Sequence, residues 1–151
     1  MIFLNDAIKN GTWFHCEFPV KDQLYQFRLK VLSFQKLDLT EVDEPEKINN
    51  WKDTIIWLME TEIINLSKEP MFSGFLSKIY LKNQYGSKFG RSGDSHLDNY
   101  SEFSKKKRLN RFAGQYLNPK IKAIGTLIYR LPISDESIFQ ILIFDGNISE
   151  E

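Results

Sequence analysis

Residues 12–31 read TWFHCEFPVKDQLYQFRLKV and contain two segments in which apolar and polar side chains alternate. The apolar positions are Phe14, Cys16 and Phe18 in the first segment, and Tyr25, Phe27, Leu29 and Val31 in the second. Alternation with a period of two is typical of strands with one buried face. Residues 19–23 are too few for a parallel crossover, so the two strands are predicted to pair antiparallel. The pattern slips at Ser33, which predicts a β-bulge or the end of the second strand.

A long amphipathic helix is predicted over about residues 44–67. Apolar side chains recur there at three- and four-residue spacing, and they are Ile48, Trp51, Ile55, Leu58 or Met59, Ile63 and Leu66. Asp43 and Glu46 have the spacing of a capping box, and Pro70 would stop the helix. Residues 5–11 predict one short helical turn, with Asn5 or Asp6 as its N-cap and Gly11 as its stop.

Three further segments predict strands, at residues 71–82, 120–131 and 137–145. The last two have apolar side chains on both faces and are therefore expected to be interior strands. Residues 83–101 are predicted to be a long loop, 102–117 a helix or a strand, and the final Ser-Glu-Glu a frayed end. The expected fold is a single α+β domain over 1–151, with a mainly antiparallel sheet of about five strands and the long helix on one face.

Composition limits the class of protein further. The single cysteine, Cys16, excludes an intramolecular disulfide, and no segment approaches the roughly 18 apolar residues of a membrane-spanning helix. The first residues carry no basic region and no long apolar run, so no signal peptide is predicted and a cytoplasmic location is expected. Twelve Phe, six Tyr and three Trp are more aromatic side chains than a core of this size requires. Most of these rings are expected in the core, and the excess leaves room for an aromatic patch on the surface.

Charge is segregated along a chain that has 20 acidic and 20 basic residues in total. Residues 38–62 contain eight acids and two bases, whereas 82–111 contain eight bases and three acids. The candidate basic surface consists of Lys88, Arg91, Lys105, Lys106, Lys107, Arg108 and Arg111. It could be a solvated face, meet an acidic protein, or contact nucleic-acid phosphates. The overall charge balance argues against a dedicated nucleic-acid binder, because such domains are usually strongly basic.

The candidate acidic surface consists of Glu41, Asp43, Glu44 and Glu46. Acids favour the positive end of a helix, but these exceed what capping needs. They would suit a basic protein partner, or they could pair with the basic stretch within one chain or across a homodimer. Of the two charged regions, residues 83–112 are the better candidate for meeting a partner, because no local structural reason accounts for their bases.

No motif for catalysis, metal binding or a cofactor is recognised. Residues 94–98 bring Asp94, Ser95, His96 and Asp98 together in sequence, but catalytic geometry comes from the fold and not from adjacency. Two distant histidines and one cysteine do not make a zinc pattern, and the Gly-rich segment 86–93 lacks a phosphate-loop ending. The expectation is therefore no catalytic residue, no metal and no cofactor.

Three functional hypotheses follow, in this order. The first is a non-enzymatic intracellular protein of bacterial or phage type that neutralises or sequesters a protein partner, as toxin-immunity proteins and small inhibitors do. The second is a nucleic-acid-binding module that uses residues 105–111. The third is a hydrolase or nuclease that uses the 94–98 loop. None of the three involves a membrane.

Overall fold

The protein is described from a computed structural model, which covers residues 2–38, 54–91, 112, 115–132 and 138–151. The elements are, in chain order, α1 (Leu4–Asn10), β1 (Trp13–Val20), β2 (Gln23–Lys36), β3 (Thr54–Asn65), β4 (Met71–Phe72), a 310 helix (Ser73–Lys78), β5 (Ile79–Lys82), β6 (Lys88–Phe89), β7 (Tyr116–Leu117), β8 (Lys122–Pro132), β9 (Gln140–Ile143) and β10 (Asn147–Glu150).

Within the described ranges, the strands form three antiparallel sheets. The largest has five strands in the order β10-β1-β2-β3-β8, a second has the order β6-β5-β9, and a third pairs β4 with β7. This architecture confirms the prediction of an α+β protein with a mainly antiparallel, five-stranded sheet. The β1–β2 hairpin is also confirmed, and a bulge between Val31 and Ser33 lies where the alternation slips.

The core contains side chains from both larger sheets. One row across the five-stranded sheet runs from Phe14 through Leu29 and Ile63 to Ala123, and it lies on the inner face. The three-stranded sheet contributes Ile79, Leu81, Ile141 and Ile143 to the same cluster. A buried hydrogen bond joins the sheets directly, since the Tyr129 hydroxyl on β8 donates to the Ile79 carbonyl on β5 at 2.9 Å.

The prediction of a long amphipathic helix is wrong, because residues 54–65 form strand β3. The predicted portion at 44–53 lies outside the described residues. Trp57, Met59, Thr61, Ile63 and Asn65 share the inner face at a period of two. On the outer face Ile56 and Leu58 are buried as well, which obscured the alternation and left a helix-like spacing. The segment is also rich in Ile, Thr and Trp, which favour strands.

Burial on both faces continues into the neighbouring strand. Leu127, Ile128 and Tyr129 of β8 are consecutive and all buried, as the apolar pattern of residues 120–131 predicted. In hydrogen bonding, however, β8 ends the five-stranded sheet rather than lying inside it, and β9 likewise ends the three-stranded one. An isolated bridge from Arg91 to Tyr129 contacts the side of β8 away from β3.

Several local predictions need correction. The C-terminal residues are not frayed, because β10 pairs with β1 and the Glu151 amide donates to the Trp13 carbonyl at 3.0 Å. The helical turn is confirmed as α1, and Gly11 ends it at φ +61°, but its N-cap is Phe3 and not Asn5 or Asp6.

The segments after β3 also differ from the predicted strand and loop. The strand expected at 71–82 is interrupted by the 310 helix, so that only β4 and β5 are extended. The loop expected at 83–101 begins as a tight β5–β6 hairpin. In its turn, the Asn83 side chain accepts from the amides of Tyr85 and Ser87. Residues 92–101 lie outside the described part of the chain.

Candidate partner-binding surface

An open apolar pocket of about 220 Å³ lies where the β1–β2 hairpin approaches the segment around β4. We call it the aromatic groove. It is lined by Phe18, Val20, Tyr25, Pro70, Met71, Phe72 and Phe75. Phe18 is buried at its base, and the rings of Tyr25 and Phe75 stack against it with centroids 5.8 and 5.9 Å away. The base of the groove is therefore a packed aromatic stack.

The rim of the groove carries exposed aromatic rings. Phe72 is 52% exposed, and it meets Tyr116 of β7, which is 65% exposed, edge to face at a centroid distance of 5.3 Å. The two rings face each other because β4 pairs with β7, with Phe72 opposite Tyr116. Large exposed apolar side chains in one cluster are typical of a binding surface rather than of a solvated face.

A buried asparagine holds the segment that forms one wall. The Asn65 amide nitrogen donates to the carbonyls of Glu69 and Leu117 at 2.9 and 2.8 Å. Its amide oxygen accepts from the Ser67 amide at 2.8 Å and from the Ser67 hydroxyl at 2.6 Å. A buried polar side chain needs such partners, and here they fix the turn that leads into β4 and the position of β7.

A polar pocket of about 390 Å³ continues the groove past the ring of Tyr25, which lines both. The other residues of the polar pocket are Gln23, Leu24, Gln26, Leu66, Ser67, Lys68 and Glu69. One end of the surface can thus hold an apolar side chain, and the other end offers hydrogen-bonding groups of both kinds.

On its other side the aromatic groove adjoins a lysine-rich surface. We call it the lysine face and define it as Lys78, Lys82, Lys88, Tyr80 and Phe144. Lys82 and Lys88 are directly opposite one another in the β5–β6 pair. The Lys88 ammonium lies 5.8 Å from the centre of the Tyr80 ring. Phe144 is 60% exposed, and a pocket of about 260 Å³ lies between it, Tyr80 and Lys88.

Lys78 connects the two surfaces. Its ammonium lies 5.1 Å from the ring centre of Phe18, in the aromatic groove, and 5.7 Å from that of Phe144, on the lysine face. Both distances are in the range of cation–π contacts. Lys78 therefore lies beside a residue of each surface, which makes the aromatic groove and the lysine face neighbours.

Only part of the predicted basic surface can be located. Lys88 is exposed on β6 and belongs to the lysine face, whereas Arg91 is half-buried and bridges to Tyr129 of β8 through the backbone. The remaining bases, Lys105 to Arg108 and Arg111, lie outside the described residues. So do Glu41, Asp43, Glu44 and Glu46 of the acidic surface, and the 94–98 loop.

Sequence reasoning did not single out Lys78, Tyr80 and Lys82 as candidate site residues. Tyr80 and Lys82 are two residues apart on the short strand β5, which was a usable signal because it puts their side chains on one face, and Lys78 directly precedes that strand at the end of the 310 helix. No comparable pattern in the sequence marks the residues of the aromatic groove. Its residues come from β1, β2 and the segment around β4, with Tyr116 on β7, and only the fold brings them together.

No catalytic or metal-binding arrangement is found in the part of the chain that the structure describes. No three His, Cys, Asp or Glu side chains there are grouped closely enough to hold a metal ion. His15 lies on the outer face of β1 with its Nε2 3.7 Å from the Glu17 carboxylate. Burial, and to a smaller extent the charge of Glu151, raise the pKa of the Cys16 thiol well above its ordinary value. That thiol is therefore a core group and not a nucleophile.

The outer face of the five-stranded sheet carries a different charge pattern. Arg28 binds the Glu151 carboxylate with both Nε and Nη2, at distances of 2.6–3.0 Å, and its guanidinium lies 4.5 Å from the Trp13 ring centre. The hydrogen bonds from Arg28 hold the pKa of Glu151 below its ordinary value. Two cations of this face, Arg28 and Lys122, are thus paired with carboxylates of the same chain. Across the described ranges, no helix is both long and apolar enough to cross a membrane.

Comparison with known proteins gives information on the fold alone. No protein-family model matches the chain, and no curated protein matches it. The fold is similar to that of a conserved hypothetical protein from Bacillus anthracis, whose crystal structure was determined at 2.2 Å. The TM-score is 0.52 at 15% sequence identity, and the match covers 89% of this chain and 90% of that one.

Proposed function

We propose that this protein is a non-enzymatic binding protein that neutralises or sequesters a protein partner, in the manner of a toxin-immunity protein or a small inhibitor. The observation that carries the proposal is the aromatic groove, with the exposed pair of Phe72 and Tyr116 on its rim. Aromatic side chains are enriched at protein interfaces, where they bury large areas with few rotatable bonds.

The construction of the groove supports the same proposal. The stack of Phe18, Tyr25 and Phe75 and the hydrogen bonds of Asn65 fix the groove before a partner arrives. A preformed surface loses little conformational entropy on binding, which favours high affinity for one partner. Neutralisation needs high affinity and no chemistry, so a rigid aromatic surface is sufficient for it.

Site-specific photocrosslinking in cells of the source organism tests the proposal. A benzophenone amino acid is placed at Phe72 and, as the matched control, at Ile124, which is 48% exposed on the outer face of β8. We expect a discrete protein adduct from position 72 that is absent from position 124. If that partner has a measurable activity, a stoichiometric amount of this protein should abolish it. Identical adducts from both positions, or no protein adduct from position 72, would contradict the proposal.

The alternative function is that of a nucleic-acid-binding module using residues 105–111, and the same experiment separates the two. An adduct that nuclease digestion reduces to about the mass of this protein alone would favour nucleic acid, whereas an adduct that nuclease leaves unchanged would favour a protein partner. The charge balance of the chain remains the argument against it.

A further inference from the structure

The proposed protein partner leaves open what chemistry this surface recognises. Resting on that proposed function, we propose that the partner docks through an acidic segment that carries one apolar anchor. The anchor occupies the aromatic groove, and the neighbouring carboxylates lie on the lysine face.

The lysine face has a charge that favours an acidic partner. Lys82 and Lys88 are cross-strand neighbours, and like charges directly opposite each other destabilise a sheet. The ion pairs seen in the described ranges are those of His15 with Glu17, Arg28 with Glu151, and Lys122 with Glu62, and none involves the lysine face. Carboxylates from a partner would relieve the repulsion between Lys82 and Lys88.

Lys78 lies between the two pockets. Its ammonium contacts one ring in each of them, Phe18 and Phe144, and is therefore held at the boundary. An anchor side chain in the groove and an acidic residue next to it in sequence would meet the groove and Lys78 together. Complementary charge beside an apolar contact sets the orientation of a docking segment and speeds its association.

The rings of this surface favour an acidic protein segment over a nucleic acid, which is also anionic. A base binds by stacking on an open ring and by hydrogen bonds to its edge. Inside the groove, Phe18 is buried and already has Tyr25 and Phe75 stacked against it, and on the lysine face Tyr80 has Lys88 over its ring. Of the exposed rings beside them, Phe72 and Tyr116 pack edge to face against each other, and Phe144 has the Lys78 ammonium over its ring. The groove is lined by apolar side chains apart from the Tyr25 hydroxyl, so it suits an aliphatic or aromatic anchor better than a base.

Fluorescence anisotropy with two defined probes tests the assignment. One probe is a short labelled peptide in which Glu and Asp surround a central Phe, and the other is an oligothymidylate of matched length and charge. At about 50 mM salt the peptide should bind the full chain more tightly than the oligonucleotide, and binding should weaken as salt is added. Replacing the central Phe of the probe by Ala should weaken binding further.

Charge variants locate the site. Lys82→Gln and Lys88→Gln should each weaken peptide binding about two- to fivefold, as expected for solvent-exposed ion pairs. Lys9→Gln makes the same charge change at an exposed position of α1, and it should leave peptide binding unchanged. Equal effects of all three variants, or an oligonucleotide that binds as tightly as the peptide, would overturn the assignment.

If neither probe binds, the proposal that the partner docks through an acidic segment would also be overturned. It would not overturn the proposed function, because a protein adduct from position 72 would still show that the groove meets a partner. The two failures are therefore distinguishable.

Discussion

Replacing Asn65 by Leu should destabilise the protein by about 3 kcal/mol, because this buried side chain makes four hydrogen bonds that fix the turn leading into β4 and the position of β7. Each such bond contributes about 1 kcal/mol net, and Leu recovers part of the loss by burying apolar surface of similar size. The carbonyl of Leu117 would lose a donor in a buried position, where that loss is most costly.

Urea denaturation measures the cost, provided that the slope with denaturant is unchanged. Thr61→Val is the matched control, because Thr61 is buried on the same face of β3 and makes one side-chain bond, to the Gly125 carbonyl at 3.0 Å. Its expected cost is about 1 kcal/mol. Hydrogen exchange adds a local readout, since the Ser67 amide should lose its protection in the Asn65 variant. The reasoning is refuted if Asn65→Leu costs no more than Thr61→Val.

Three further predictions concern the side of the molecule around β1 and β10. Gly146→Ala should cost about 1–3 kcal/mol in urea denaturation, because a Cβ there would overlap the Glu17 carbonyl oxygen; a neutral result would contradict the packing of the β9–β10 turn. Cys16 should react with a thiol reagent only as fast as the protein opens, because burial raises the pKa of the thiol; rapid labelling of the folded protein would be inconsistent with its position. The ion pair of Arg28 and Glu151 should add its full contribution to the free energy of unfolding at pH values above the ordinary Glu pKa of 4.5. That contribution should be lost as the pH falls through the lower pKa that Glu151 has in the folded protein. The effect should stay below about 1 kcal/mol because the pair is exposed, and it should disappear in Glu151→Gln; an unchanged pH dependence would count against it.

The hairpin could be predicted from the sequence because its determinants are local. Alternation over 12–31, a short connection and a slip at Ser33 give the strands, their direction and the bulge without any knowledge of the rest of the fold. Strand β3 could not be predicted from the sequence, because Ile56 and Leu58 are buried on the face where alternation requires polar residues. Tertiary packing decides which faces of a strand are covered, and the periodicity of the sequence does not contain that information.

The candidate surface, too, could be predicted from the sequence only in part. The alternation of Tyr80 and Lys82 on β5 is visible in the sequence, and the surplus of aromatic residues left room for a surface patch of the kind that Phe72 and Tyr116 form. The place of that patch depends on the pairing of β4 with β7, two short strands far apart in sequence. Charge segregation indicated residues 83–112 as the better candidate region for meeting a partner. Of that predicted basic surface, Lys88 lies on the lysine face, whereas the role of residues 105–111 stays a prediction.

Mapping the acidic probe peptide onto the protein by NMR tests the central claim most directly, namely that the aromatic groove and the lysine face form one docking surface. The backbone amide shifts of the full chain are followed as the peptide is added. We predict that the perturbed amides cluster at Tyr25, at residues 72–80 and at Lys88, and that Phe72→Ala and Lys88→Gln each weaken the whole set together. Perturbations on the outer face of the five-stranded sheet around Arg28 and Ile124, with the groove unaffected, would contradict the claim.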